Sequence, residues 1–140
     1  MRSWVIIGIM VLAMFFLAGC TTIPGSFQGP GTAGTLVPGP VVTLPAANAV
    51  DVAVMQKDSV DSTIDVVFGG GNGQVAVSSC IVVITRSDGS SEIQRLTPQK
   101  GSTVTLQGTK GTDRVEVSVI LKDGKSYKII DELVPYRTRG

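Results

Sequence analysis

The chain has 140 residues, 12 basic and 11 acidic side chains, a charged fraction of 16% and no histidine. Such a balance excludes an electrostatic nucleic-acid binder, and the missing histidine removes the commonest general base and the commonest metal ligand. The length allows one small domain beside its leader sequences, and the abundance of Gly, Thr, Ser and Val favours strands and turns over amphipathic helices.

Met1, Arg2 and Ser3 form a short positive start, and Trp4 to Leu17 is apolar except for Gly8. A membrane-crossing helix needs about 20 apolar residues, so this run has the length and grammar of a signal peptide spanning 1–19. It ends in Leu17-Ala18-Gly19-Cys20, which resembles the lipobox of prokaryotic lipoproteins. The resemblance implies cleavage between Gly19 and Cys20, with a thioether lipid on the Cys20 sulfur. Each buried methylene contributes ~0.8 kcal/mol, so a two-chain lipid would hold the protein stably on the extracytoplasmic side of the cell membrane. Arg2 is the only charge in the first fifty residues, so cleavage leaves eleven basic and eleven acidic side chains.

Residues 20–49 read as a tether and a disordered linker. No charge lies between Thr21 and Asn48, while Pro24, Pro30, Pro38, Pro40 and Pro45 alternate with Gly25, Gly29, Gly31, Gly34 and Gly39. Proline removes ladder donors and glycine adds chain entropy, which works against a regular ladder or helix. Coil-like, the stretch would reach roughly 30 Å; as polyproline II it would reach up to about 85 Å.

From residue 50 to 135 the pattern is that of a β domain, followed by a tail at 136–140. Val50, Val52 and Val54 alternate with Asp51 and Ala53, and Ile64, Val66 and Phe68 with Asp65 and Val67, giving two short strands. Val75 to Arg86, with Ile81 to Ile84 in succession, predicts a central strand covered on both faces. Ser87-Asp88-Gly89-Ser90 turns it into a return strand from Glu92 to Leu96. Thr103 to Gln107 is the next strand, with Val104 and Leu106 on one face. In Arg114 to Leu121 the apolar Val115, Val117, Val119 and Leu121 oppose Arg114, Glu116 and Ser118, the period of a strand with one apolar and one polar face. Lys122-Asp123-Gly124-Lys125 then returns the chain into Ser126 to Val134. About seven strands of this kind predict an all-β, immunoglobulin-like antiparallel sandwich.

Candidate sites are few. Gly69-Gly70-Gly71-Asn72-Gly73 lacks the Lys and Ser/Thr of a phosphate-binding loop and reads as a flexible hairpin connection. Asp58, Asp61 and Asp65 lack the spacing and distal Glu of a calcium loop, so no metal or cofactor is expected. Cys80 sits in the most apolar strand and is expected to be buried and free. With no histidine to activate Cys80, Ser78 or Ser79, no catalytic residue is assigned. Arg137-Thr138-Arg139-Gly140 reads as a frayed terminus.

The segments Val67-Phe68-Gly69-Gly70, Gly101-Ser102-Thr103-Val104-Thr105, Gly108-Thr109-Lys110-Gly111-Thr112-Asp113-Arg114-Val115, and Asp123-Gly124 with Ile129-Ile130-Asp131 are together similar to the C-terminal β domain of archaeal type IV pilins, particularly those of methanogens. The resemblance covers about half the chain and implies a pilin-type β domain. Those pilins retain their hydrophobic helix after cleavage, whereas here the cleavage motif follows the hydrophobic run. The expectation is therefore a lipid-anchored surface protein with a non-catalytic interaction or structural domain and a surface protein or glycan as partner. The alternative is a pilin-like filament or pilus-associated subunit.

Overall fold

The computed structural model describes residues 35–138; the expected leader, Cys20 and the first half of the expected tether lie outside them. Seven strands form two antiparallel sheets: β1 (Asp51–Val54), β2 (Thr63–Gly70), β3 (Val77–Thr85), β4 (Ser91–Leu96), β5 (Thr103–Gln107), β6 (Asp113–Leu121) and β7 (Ser126–Val134). One sheet has the order β1-β2-β5 and the other β4-β3-β6-β7. No α-helix occurs among the described residues.

The alternation in the sequence decides which side chains meet between the sheets. Val52, Ile64, Val66, Phe68 and Leu106 from the first sheet share one buried cluster with Cys80, Val82, Ile84, Leu96, Val115, Val117 and Val119 from the second. Burying a Val, Leu, Ile or Phe side chain stabilises by about 1.5–3 kcal/mol, so this cluster is the main favourable term in folding. The outer face of the first sheet is ordinary by contrast, with Asp51, Asp65, Thr103, Thr105 and Gln107 exposed.

Both Asp-Gly turns form as expected. Gly89 and Gly124 each adopt φ +86°, the left-handed conformation that glycine takes without steric cost. The preceding aspartates accept backbone N–H bonds from Ser90 (2.8 Å) and Lys125 (3.0 Å). The glycine run, in contrast, is not a hairpin connection. β2 and β3 belong to different sheets, and residues 71–76 carry the chain across between them through a 3-10 turn at Gln74–Ala76.

The run has a packing role that composition does not reveal. Ala49 accepts a hydrogen bond from the Gly73 N–H (2.9 Å). A Cβ on Gly73 would stand 2.0 Å from the Asn48 carbonyl carbon, and one on Gly71 would stand 2.5 Å from the Ala49 oxygen. Only glycine lets these two backbones approach so closely.

Residues 35–49, expected to belong to the tether, are fastened to the domain. The segment Thr35–Leu44, here called the strap, lies against β6 and β7. Its polar backbone atoms bond to side chains on those strands, Leu44 is buried in the core, and Val42 N–H donates to the Lys128 carbonyl (2.7 Å). A 3-10 turn at Ala46–Asn48 then leads into β1. No ladder forms around Pro38, Pro40 and Pro45, but backbone groups between them still find partners. The tail is tied as well, since the Tyr136 hydroxyl donates to the Ser59 carbonyl (2.7 Å).

Candidate functional site

The strap covers a charge network on the outer face of the second sheet. Arg114 and Glu116 project from β6, away from the core-facing Val115 and Val117, and the pairing of Glu116 with Asp131 and of Ser118 with Lys128 brings four charged side chains together. Two carboxylates opposite each other on adjacent strands would repel. The Arg114 guanidinium resolves this by gripping Asp131 with a two-pronged fork, Nε to Oδ1 and Nη2 to Oδ2, both 2.7 Å. Arg114 Nη2 also reaches Glu116 (3.0 Å), and Lys128 Nζ bridges Asp131 (2.6 Å) and Glu116 (3.4 Å).

The strap completes the network. Thr35 accepts from Arg114 Nη1 at its carbonyl (3.0 Å), and Gly39 N–H donates to Asp131 Oδ2 (2.8 Å). The side chains of Arg114, Glu116 and Asp131 are 2%, 1% and 0% exposed. The polar face of β6 is therefore as dry as its apolar face, an outcome the period-two pattern does not foretell. Burial pushes the Asp131 carboxyl upward, but the hydrogen bonds from Arg114, Lys128 and Gly39 outweigh it and hold the group at about 2. The same Asp131 bond raises Arg114 above its ordinary value.

A second buried pair lies at the start of β6, one residue before Arg114. Lys57, in the β1–β2 connection, donates to Asp113 Oδ2 (2.6 Å), and both side chains are 0% exposed. Lys57 Nζ also donates to the carbonyls of Thr109 (3.0 Å) and Gly111 (2.8 Å). Asp113 accepts from Ser87 N–H (2.9 Å), Thr109 N–H (2.7 Å) and Thr109 Oγ1 (2.6 Å). Burial acts to raise the Asp113 carboxyl, and these donors reverse the effect and lower it. Residues 108–113 are the loop that builds this seat.

Both sites fasten chain segments. The carboxyls of Asp113 and Asp131 are held below their ordinary value by donors whose geometry is already complete, and among the described residues no buried side-chain nitrogen or oxygen lacks a hydrogen-bond partner. The strap's own Val41 and Leu44, with Val50, Val52, Ile129 and Ile130, line an open groove of about 280 Å³ between the edges of β1 and β7.

The other candidates from the sequence are placed apart. Asp58 accepts N–H bonds from Val60 (2.6 Å) and Asp61 (3.0 Å), a turn-forming role. Asp65 accepts from the Thr105 hydroxyl (2.6 Å) across the first sheet. Among the described residues no three His, Cys, Asp or Glu side chains converge on a metal-sized site. Cys80 is free and buried on β3, and burial pushes its thiol up to about 11. Ser78 is exposed, Ser79 buried, and Arg137 exposed. Leu17, Ala18, Gly19 and Cys20 lie outside the described residues.

Compared with protein-family models, with curated proteins and with solved structures, the chain finds no match in any of the three.

Proposed function

We propose that this protein is an extracytoplasmic lipoprotein, held on the cell membrane by a lipid on Cys20, whose immunoglobulin-like sandwich serves as a non-catalytic interaction or structural module. The observation that carries the reading is the coincidence, in one sequence, of an apolar run of signal-peptide length with the Leu17-Ala18-Gly19-Cys20 motif directly ahead of a small β domain. The strand order supports the immunoglobulin-like part: seven antiparallel strands divide three against four, as in that class. The difference from the constant-type arrangement is that β4 pairs with β3 instead of joining the sheet of β1, β2 and β5. The buried ionic groups support a mechanical role, because they are spent on holding segments together.

Fastening of the strap shortens the reach of the anchor. Cys20 and Thr35 are fifteen residues apart, and at ~3.5 Å per residue the domain stays within about 50 Å of its lipid. A partner is accordingly sought at the membrane surface, among proteins or glycans there.

The test is the pair wild type and Cys20→Ser, expressed in a host with lipoprotein processing. The wild type is expected to lose residues 1–19 and gain lipid mass, and Cys20→Ser to retain its leader unmodified. Equal, lipid-free products from both would overturn the reading. The second reading, a pilin-like filament subunit, takes its support from the segments similar to archaeal type IV pilins; filaments built from chains that keep Trp4 to Leu17 would put it first.

A further inference from the structure

The glycine run carries a reactive pair. Asn72 precedes Gly73, and a glycine nitrogen, with no side chain beside it to block approach, is the backbone nitrogen best able to attack the side-chain amide of the residue before it. Asn72 is exposed and its amide makes no hydrogen bond to any described residue, so the electrophile is free to turn. The nucleophile is held. Gly73 is buried, its N–H is donated to the Ala49 carbonyl (2.9 Å), and its α-carbon lies so close to Asn48 that a Cβ would stand 2.0 Å from the Asn48 carbonyl carbon. Attack requires the Gly73 nitrogen to lose its proton, and that proton is already shared with Ala49.

The related pairs of the chain are disarmed differently. Asp88-Gly89 and Asp123-Gly124 offer carboxylates, which are poor electrophiles, and their oxygens accept N–H bonds from Ser90 (2.8 Å) and Lys125 (3.0 Å). Asn48, the other of the two asparagines, is followed by Ala49, whose methyl group crowds the attacking nitrogen. Asn72 alone joins a neutral amide to a following glycine.

We propose that Asn72-Gly73 is a self-modification site gated by residues 46–49: closed while Ala49 holds Gly73, open when the turn and Ala49 lift away. In the open form the Gly73 nitrogen passes its proton to solvent and attacks Cγ of Asn72. A nitrogen–Cγ bond forms, closing a five-membered succinimide ring, and the Cγ–Nδ2 bond breaks, so that Nδ2 takes a proton from solvent and leaves as ammonia. Water then opens the ring at one carbonyl or the other, giving aspartate or isoaspartate, and no oxidant or reductant takes part. Aspartate leaves the backbone path as it was. Isoaspartate carries the backbone through its Cβ, one atom longer, and the close fit of Gly71 and Gly73 against residues 48–50 leaves no room for the altered path. Residues 46–49 then fail to reseat, and they are the stretch that joins the strap to β1. A transient opening is made permanent. The chemistry is the same with or without lipid on Cys20.

The test incubates full-length chains in detergent at mildly alkaline pH, folded and in guanidinium chloride, and reads aspartate and isoaspartate at residue 72 by peptide mapping with mass spectrometry. Reaction proceeds only from the open fraction, so it is expected to be at least about tenfold slower in the folded chain than in denaturant, with Asn48 as the slow internal reference. Gly71→Ala keeps the Asn72-Gly73 pair but sets a methyl 2.5 Å from the Ala49 oxygen, and is expected to bring the folded-state rate toward the denatured one. In aged wild type, hydrogen exchange of residues 46–49 is expected to rise with the isoaspartyl fraction, while Asn72→Asp leaves it unchanged. Equal rates in the folded and denatured chain overturn the gate, and an Asn72 that stays intact in denaturant overturns the site. Should Gly71→Ala fail to fold, the folded-to-denatured ratio of the wild type and the exchange of its aged fraction decide.

Discussion

Replacing Lys57 by Met removes the positive partner of a fully buried carboxylate while keeping most of the side-chain volume. Breaking a buried ion pair from one side costs about 3–5 kcal/mol, because the remaining charge loses its compensation. Asp113 keeps three other donors, from Ser87 and Thr109, which places the loss near the low end. The carbonyls of Thr109 and Gly111 also lose the Lys57 ammonium, and unsatisfied acceptors add to the cost. We expect a loss of about 3–4 kcal/mol. At roughly 4–8 °C per kcal/mol for a domain of this size, the melting temperature falls by at least about 12 °C. The assay is thermal and urea unfolding followed by circular dichroism in the strand region, since the single tryptophan, Trp4, lies outside the β domain. The exposed pair Lys125–Asp123 serves as control, and Lys125→Ala is expected to leave the midpoint where it is. A Lys57→Met midpoint within about 1 kcal/mol of wild type would refute the view that this pair locks the β1–β2 connection to β6.

Three further outcomes follow from the geometry. Gly73→Ala drives a methyl into the Asn48 backbone and is expected to destabilise by more than about 2 kcal/mol, with hydrogen exchange rising first in residues 46–49; unchanged exchange there would refute the packing role. Asp131 is held at about 2 against an ordinary 3.8, and a depressed folded-state value gives stability that is present above pH ~4 and lost as pH falls toward 2. That contribution is at most roughly 2.5 kcal/mol, and Asp131→Asn should flatten the acid limb of the stability profile; an identical limb would count against it. Cys80, buried with its thiol near 11, should resist alkylation at pH 8 in the folded protein and react promptly in denaturant, because the thiolate is the reacting species; fast labelling of the native chain would contradict its placement.

The strands were legible wherever side chains alternate against one core. β5 and β7 have the expected limits, and β4 and β6 gain one residue each at their starts, because Asp-Gly turns and period-two patterns are local signals. The strap was not legible, since it is held by backbone atoms of Thr35, Gly39 and Val42, and a Pro/Gly stretch looks the same whether it is seated or free. The charge network beneath it did leave a trace. The Lys122–Lys125 hairpin sets Glu116 opposite Asp131, and two facing carboxylates on paired strands demand cations, which Arg114 and Lys128 supply. Lys57 left none, because its partner is 56 residues away and only the closed fold brings them together. The glycine run was misread as a hairpin because glycine signals a turn and a close backbone approach equally well.

The lipoprotein reading is tested most directly by the intact mass of the mature protein, extracted in detergent from its native membrane, with peptide mapping of its N-terminus. The expected result is a chain that begins at Cys20 and carries the added mass of lipid on that residue. A chain that retains Trp4 to Leu17, with Cys20 unmodified, would contradict it and turn the apolar run into an anchor or assembly helix.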